Sequence, residues 1–592
     1  MKNILSLLLP LLFVISCQPK VETMEELPPI AEVFESYYQE RLALYPLDAT
    51  YAGDERYNDL FLNDLTAAFE SKVEEMFIKY KEELTKYDKS TLSQEDQMSY
   101  DVLVWECDMG VAALAFDTEL LPVDQFWSMH LTIGQLASGS SVQPFKTAVD
   151  YDNWLNRVDG FMAWCDTAMV NMRKGMETGV VLPKSLIEKV IPQFADFAKE
   201  PVEENLFYTP ALNFPEEVGL DSKSRLEKAY YKMVAEKVIP KFKAFNDFMV
   251  NEYLPVGRET SGISSIPNGE AYYNNRIKYY TTTTMTANEI FELGKSEVAR
   301  LSSEMEKVKS QVGFEGDLKS FFDYVRNNKE LMPFTDPQQV IDNFNAIHEK
   351  MKPQLSQLFD LTPKTAFVVK RTEEFREASA SAEYSSGSLD GTRPGVFYVP
   401  IPDVSAYNTY SDEDLFLHEA IPGHHYQISL QQENTKLHSF RKTLWYSAYG
   451  EGWALYAESL GAELGLYDDP YQYFGMLGAE MHRAIRLVVD AGMHTKGWTR
   501  EEAIQYSLEN EAESEASIIS EIERYMAGPG QALSYKIGQL KIRQLRAKAE
   551  MELGDKFDIK VFHNKVLESG CIPLKLLENK IDQWIAEANP SE

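Results

Sequence analysis

Three of the nine histidines in this 592-residue chain fall together, in Leu-Phe-Leu-His418-Glu419-Ala-Ile-Pro422-Gly423-His424-His425-Tyr-Gln. Imidazole nitrogens are good ligands for zinc, and a carboxylate beside them can take a proton from a water. In the helical H-E-x-x-H pattern two histidines one turn apart hold the metal and the glutamate acts on the water. Here position i+4 from His418 is Pro422. On an unbroken helix His424 would point about 240° away from His418, and His425 would lie about 10.5 Å further along the axis. Neither arrangement chelates, so the helix must be interrupted. Pro422-Gly423 supplies the interruption: Pro removes an N–H and clashes with the preceding turn, and Gly tolerates unusual dihedrals. Read as a two-residue bulge, the pair leaves His424 as the second ligand, with His425 behind it or facing substrate. The competing geometry is a new helix beginning at Pro422 that turns His425 toward the metal.

A third protein ligand is needed, with a fourth position left for water. Glu451, in Tyr-Gly-Glu451-Gly-Trp-Ala-Leu-Tyr-Ala-Glu458, sits on an expected helix, and its flanking glycines allow close approach. Glu458, two turns on, is expected behind the ligands or at the surface. Trp453 and Tyr456 are expected to pack this helix. Further on, Arg486, Asp490 and His494 share one helical stripe. Arg486 and Asp490 can form a structural ion pair; alternatively Arg486 holds a substrate carboxylate and His494 donates to the reacting oxygen.

The elements that must position these groups are mostly helices. Ile30–Leu44, Leu65–Leu84, Leu226–Tyr253 and Ala287–Val312 repeat apolar residues at three- and four-residue spacing. Thr286-Ala-Asn-Glu289 is a capping box ahead of the last of them. Pro and Gly clusters near 45–54, 182–192, 255–268, 361–363 and 391–403 read as breaks. Val396-Phe397-Tyr398-Val399 is β-branched and aromatic between Gly395 and Pro400, and reads as a short edge strand able to pair with an extended peptide, or as a structural hairpin.

Composition narrows the classes. Hydrophobic residues are 44% and charged residues 25%, which argues against disorder. A net charge of −34 repels phosphates, which argues against a nucleic-acid partner. Lys2 and the apolar run Ile4 to Ile15 suit a signal peptide and are too short to span a bilayer. Val14-Ile15-Ser16-Cys17 resembles the bacterial lipobox, which implies cleavage before Cys17, lipidation of its thiol, and a protein held in the cell envelope by its lipid alone. Residues 18–27 read as a tether. Cys107, Cys165 and Cys571 lack metal-site spacing and are expected buried, with one disulfide an open alternative.

His418-Glu-Ala-Ile-Pro-Gly-His-His-Tyr-Gln and Glu451-Gly-Trp-Ala-Leu-Tyr-Ala-Glu resemble the bacterial domain-of-unknown-function family numbered eight hundred and eighty-five. So do Asp390-Gly-Thr-Arg-Pro-Gly-Val-Phe-Tyr-Val, Arg486-Leu-Val-Val-Asp-Ala-Gly-Met-His and Arg524-Tyr-Met-Ala-Gly-Pro-Gly-Gln-Ala-Leu-Ser-Tyr535. The order of strand, His-Glu helix and downstream Glu is similar to gluzincin peptidases of the angiotensin-converting-enzyme type. This resemblance implies a mainly α, large helical gluzincin-like body with a short β edge-strand element beside a zinc-bearing helix pair. The expected division is a signal segment at 1–17, the tether at 18–27, an N-terminal helical part at 28–280 and a catalytic part at 281–592. It implies a zinc metallopeptidase for short peptides: His418, His424 and Glu451 on zinc, Glu419 as base, and Tyr535 or His494 steadying the oxyanion. Arg486, Tyr398 and His425 are the expected substrate contacts. The alternative is a peptide-binding lipoprotein that retains such a fold without turnover. A serine hydrolase is disfavoured, because no G-x-S-x-G occurs.

Overall fold

The computed structural model describes residues 27–373, 377, 381–389, 391 and 393–589. The signal segment, Cys17 and nearly all of the tether lie outside the described residues. Among the described residues the fold is mainly helical, with one small three-stranded mixed sheet. Among the described residues no helix is long and apolar enough to cross a membrane.

The elements that matter for the site follow in chain order: α1 (Ala148–Thr178), α2 (Gly269–Thr281), α3 (Ala287–Gln311), α4 (Pro337–Met351), β1 (Phe367–Arg371), β2 (Glu383–Ser385), β3 (Gly395–Val399), α5 (Asp412–Glu419), α6 (His424–Glu433), α7 (Ser447–Glu458), α8 (Pro470–Lys496), α9 (Glu515–Ala527) and α10 (Ser534–Leu553). Local signals work as expected in several places. A helix spans Ile30–Leu44, and Thr286 with Glu289 closes a capping box ahead of α3. Two expected breaks are helical instead. Pro46 opens the short helix Pro46–Ala52, and Pro183 caps Lys184–Phe197. Proline has no N–H to lose at a helix start, so it initiates as readily as it interrupts.

One apolar core gathers residues from Ile30 to Cys107 with residues from Ile263 to Ile585, so segments on both sides of residue 280 build it together. It includes Phe416 and Leu417 of α5 and Tyr449 and Trp453 of α7. A second core lies within 123–253 around Trp154 and Phe161 of α1. A third joins α3, α8 and α9. Cys107, Cys165 and Cys571 are free and buried.

The strand order is β1–β3–β2, with β1 parallel and β2 antiparallel to β3. The Gly395–Val399 strand is therefore central, not the edge the flanking proline suggested. Pro400 lies just past the ladder and costs it no donor. Phe397 packs against Phe344 of α4, and its face-mate Phe367 against Phe416 of α5 and His425 of α6. The sheet thus lays one face on the histidine-bearing helices.

Candidate metal centre

The local chain path decides which histidine faces which. Helix α5 ends at Glu419, the chain turns through 420–423, and α6 starts afresh at His424. The insertion is a break between two helices, not a bulge within one. Gly423 lies directly on the end of α5: a Cβ there would sit 1.9 Å from the His418 carbonyl oxygen and 2.3 Å from that of Leu417. Only glycine allows this approach. From the other side, the Trp453 indole N–H donates to the Pro422 carbonyl at 2.8 Å. Trp453 thus fixes the turn as well as packing its helix. Helix α7 is pressed onto α10 at the Gly452–Gly538 crossing, where a Cβ on Gly452 would lie 2.4 Å from the Gly538 Cα.

These constraints bring His418, His424 and Glu451 together as expected. One ligand atom from each lies within 4.8 Å of the other two. Among the described residues this is the one group of three such side chains able to share an ion. Glu451 Oε2 is 3.6 Å from His418 Nε2 and 3.4 Å from His424 Nε2. Tetrahedral coordination with bonds of about 2.1 Å separates neighbouring ligand atoms by about 3.4 Å. The separation to His418 is long for a hydrogen bond and right for two ligands of one cation. His418 Nδ1 meets Glu458 Oε1 at 2.6 Å, so Glu458 stands behind the ligand rather than at the surface. A carboxylate on the far nitrogen holds the ring with Nε2 turned to the ion and raises its basicity. The donor set therefore fits a divalent metal.

Charge reinforces the arrangement. Burial works against a protonated His418, yet Glu451 and Glu458 overcome it and raise its pKa to about 10. Burial pushes Glu451 up, but His424 and His418 hold its carboxyl well below the usual range. Glu419 is buried and its pKa is raised by burial, against the opposing pull of His418 and His424.

The other expected residues divide. His425 turns away toward the sheet, with Nδ1 3.0 Å from the Tyr384 hydroxyl, and burial lowers its pKa to about 4. Tyr398 pairs with Lys370 and Glu383 on the sheet face opposite Phe397, so it points away from the histidine helices. His494 accepts from the Ile263 N–H at 2.9 Å and donates to the Tyr525 carbonyl at 3.1 Å. Both ring nitrogens are taken by backbone, leaving none for a reacting oxygen; the residue ties α8 to its neighbours. Asp490 accepts from the Tyr273 hydroxyl and the Gly530 N–H, not from Arg486. Arg486 binds Glu521, Tyr525 and His482 and stacks over the Tyr535 ring at 4.5 Å. Arg483, one turn before Arg486, lines a small cavity with His418 and Glu458. Sequence reasoning passed over it, although its i, i+3 spacing from Arg486 was a usable signal.

A groove of about 1020 Å³ runs beside the centre, lined among others by Tyr384, Gly387, Glu106, Arg41 and Trp445. The Trp445 ring, which lines the groove, lies 5.7 Å from that of His424.

A family described as "Bacterial protein of unknown function (DUF885)" matches residues 46–581, and the chain belongs to it. The "putative lipoprotein" of Colwellia psychrerythraea has a crystal structure similar to this one, with a TM-score of 0.87 at 27% identity, covering 94% of this chain and 99% of that one. A "putative lipoprotein of unknown function" from Shewanella oneidensis shares the fold, with a TM-score of 0.68 at 19% identity over 93% of this chain and 99% of that one. No curated protein matches this chain.

Proposed function

We propose that this member of the DUF885 family is an exported, lipid-anchored zinc metallopeptidase that hydrolyses peptide bonds in short peptides. The observation that carries the reading is the buried His418–His424–Glu451 group, with Glu451 Oε2 at tetrahedral separations from both imidazoles and Glu458 behind His418. Two nitrogens and one carboxylate oxygen suit zinc, with a position left open. Zinc bound there would supply a Lewis acid that makes water a nucleophile at neutral pH and polarises a carbonyl.

Glu419 lies among the ligands, and burial raises its proton affinity. Its carboxylate takes the proton of the attacking water and delivers it to the leaving nitrogen. The Tyr535 hydroxyl donates to the oxygen of the scissile carbonyl as negative charge grows there. The groove beside Trp445 receives the extended substrate. The similarity of the motif order to gluzincin peptidases supports the same reading. Cys17 anchors the chain through its lipid, in line with the lipoprotein description of the relatives. Glu419→Gln should keep its metal and lose about 10²- to 10⁴-fold in kcat/KM on any peptide that the native protein cleaves. Native rates in that variant would remove Glu419 from the mechanism.

A further inference from the structure

Resting on that reading, we infer that Arg486 and Arg524, with Arg483 beside them, form an anchor for a substrate carboxylate. In a chain of net charge −34, three guanidinium groups gather at one place. Arg483 lies 6.0 Å and Arg486 4.5 Å from the centre of the Tyr535 ring. Arg486 and Arg524 share a single carboxylate, since Glu521 Oε2 accepts from Arg486 Nη2 at 2.8 Å and from Arg524 Nη2 at 3.1 Å. Glu521 Oε2 thus serves two guanidinium groups, and the Tyr525 hydroxyl also uses it at 2.6 Å.

The decisive feature is what these arginines leave unused. Arg486 Nη1, Arg524 Nε and Arg483 Nε are buried and have no hydrogen-bond partner among the described residues. Arg486 and Arg524 are each only 6% exposed. A buried unpaired donor on a charged group is costly, and such a group is retained where a ligand completes it. A guanidinium is matched in shape and charge to a carboxylate. Tyr535 and Glu521, at the edge of the cluster, are partly exposed. Arg483 links it to the metal centre, because it lines one small cavity together with His418 and Glu458. A peptide lying over the centre would then place an acidic group at Arg486 and Arg524, either its C-terminal carboxylate or an acidic side chain.

The test is calorimetric binding to the full mature chain carrying Glu419→Gln, so that no turnover is involved. The probes are N-acetyl-alanyl-alanine as the free acid, the same peptide as its amide, and N-acetyl-glutamyl-alanine amide. One of the two acids should bind at least about tenfold tighter than the neutral amide, as expected for charge-assisted pairing. Which acid does so tells whether the chain end or a side chain is held. Arg524→Gln and Arg486→Gln should each shrink that preference to about threefold or less. Equal binding of all three probes overturns the inference without need of any arginine variant, and so does an undiminished preference in a folded Arg524→Gln protein. Selective acid binding in a chain that never cleaves peptides would leave the anchor standing and remove the peptidase reading.

Discussion

Gly423→Ala puts one methyl group where the structure has no room. Its carbon would begin 1.9 Å from the His418 carbonyl oxygen. A relaxed carbon–oxygen contact needs more than about 3 Å, so the ends of α5 and α6 must separate by about 1 Å. His418 and His424 sit at those two ends, while metal–ligand distances tolerate only about 0.2 Å. Zinc affinity should therefore fall at least about 100-fold, the upper end of what losing one supporting group costs. Overpacking should also lower stability by about 1–3 kcal/mol. Gly478→Ala is the matched control: it lies inside α8, and a Cβ there meets nothing within 4 Å. That change should leave zinc binding alone and add about 0.5–1 kcal/mol of stability through helix propensity. The assay is competition for zinc against a chromophoric chelator, with thermal unfolding recorded in parallel. A folded Gly423→Ala protein that holds zinc within threefold of the native affinity would refute the argument that the helix break sets the ligand geometry.

Two further outcomes follow from the same geometry. Glu458→Gln removes the charge behind His418 and should weaken metal binding by about 10- to 100-fold, read in the same chelator competition; native affinity would mean that Glu458 merely neutralises a buried imidazole. In the metal-free protein the His418 pKa is raised to about 10, and a metal must displace that proton. The sign follows directly: apparent affinity should rise as pH rises, by about tenfold per pH unit between pH 6 and 9, with about one proton released per ion bound. A flat profile by calorimetry in buffers of different ionisation heat would contradict the assigned charge state.

Much of this was legible in the sequence for identifiable reasons. Helical periodicity and the Thr286 cap are local signals, and the structure follows them. The His418–Glu419 pair with Glu451 downstream pointed to three side chains that the structure brings together, because chelation restricts residue types severely. What failed depended on tertiary context. A proline beside a strand does not tell whether the strand is central or at the edge, so Val396–Val399 was misplaced. The helix break looked like a bulge, because nothing local reveals that Gly423 rests on the His418 carbonyl. His494 looked available on its helical stripe, and only the distant backbone of Ile263 and Tyr525 shows both its nitrogens occupied. Arg486 had the right spacing for Asp490, yet its partner Glu521 comes from another helix.

The most direct test of the central claim is the metal content, by inductively coupled plasma mass spectrometry, of native protein, His424→Ala and His425→Ala purified side by side. The geometry predicts about one zinc per native chain, about one in His425→Ala, whose ring faces Tyr384, and almost none in His424→Ala. Metal retained in His424→Ala and lost in His425→Ala would contradict the assigned ligand set, and native protein that takes up no divalent metal under any loading condition would contradict the account as a whole.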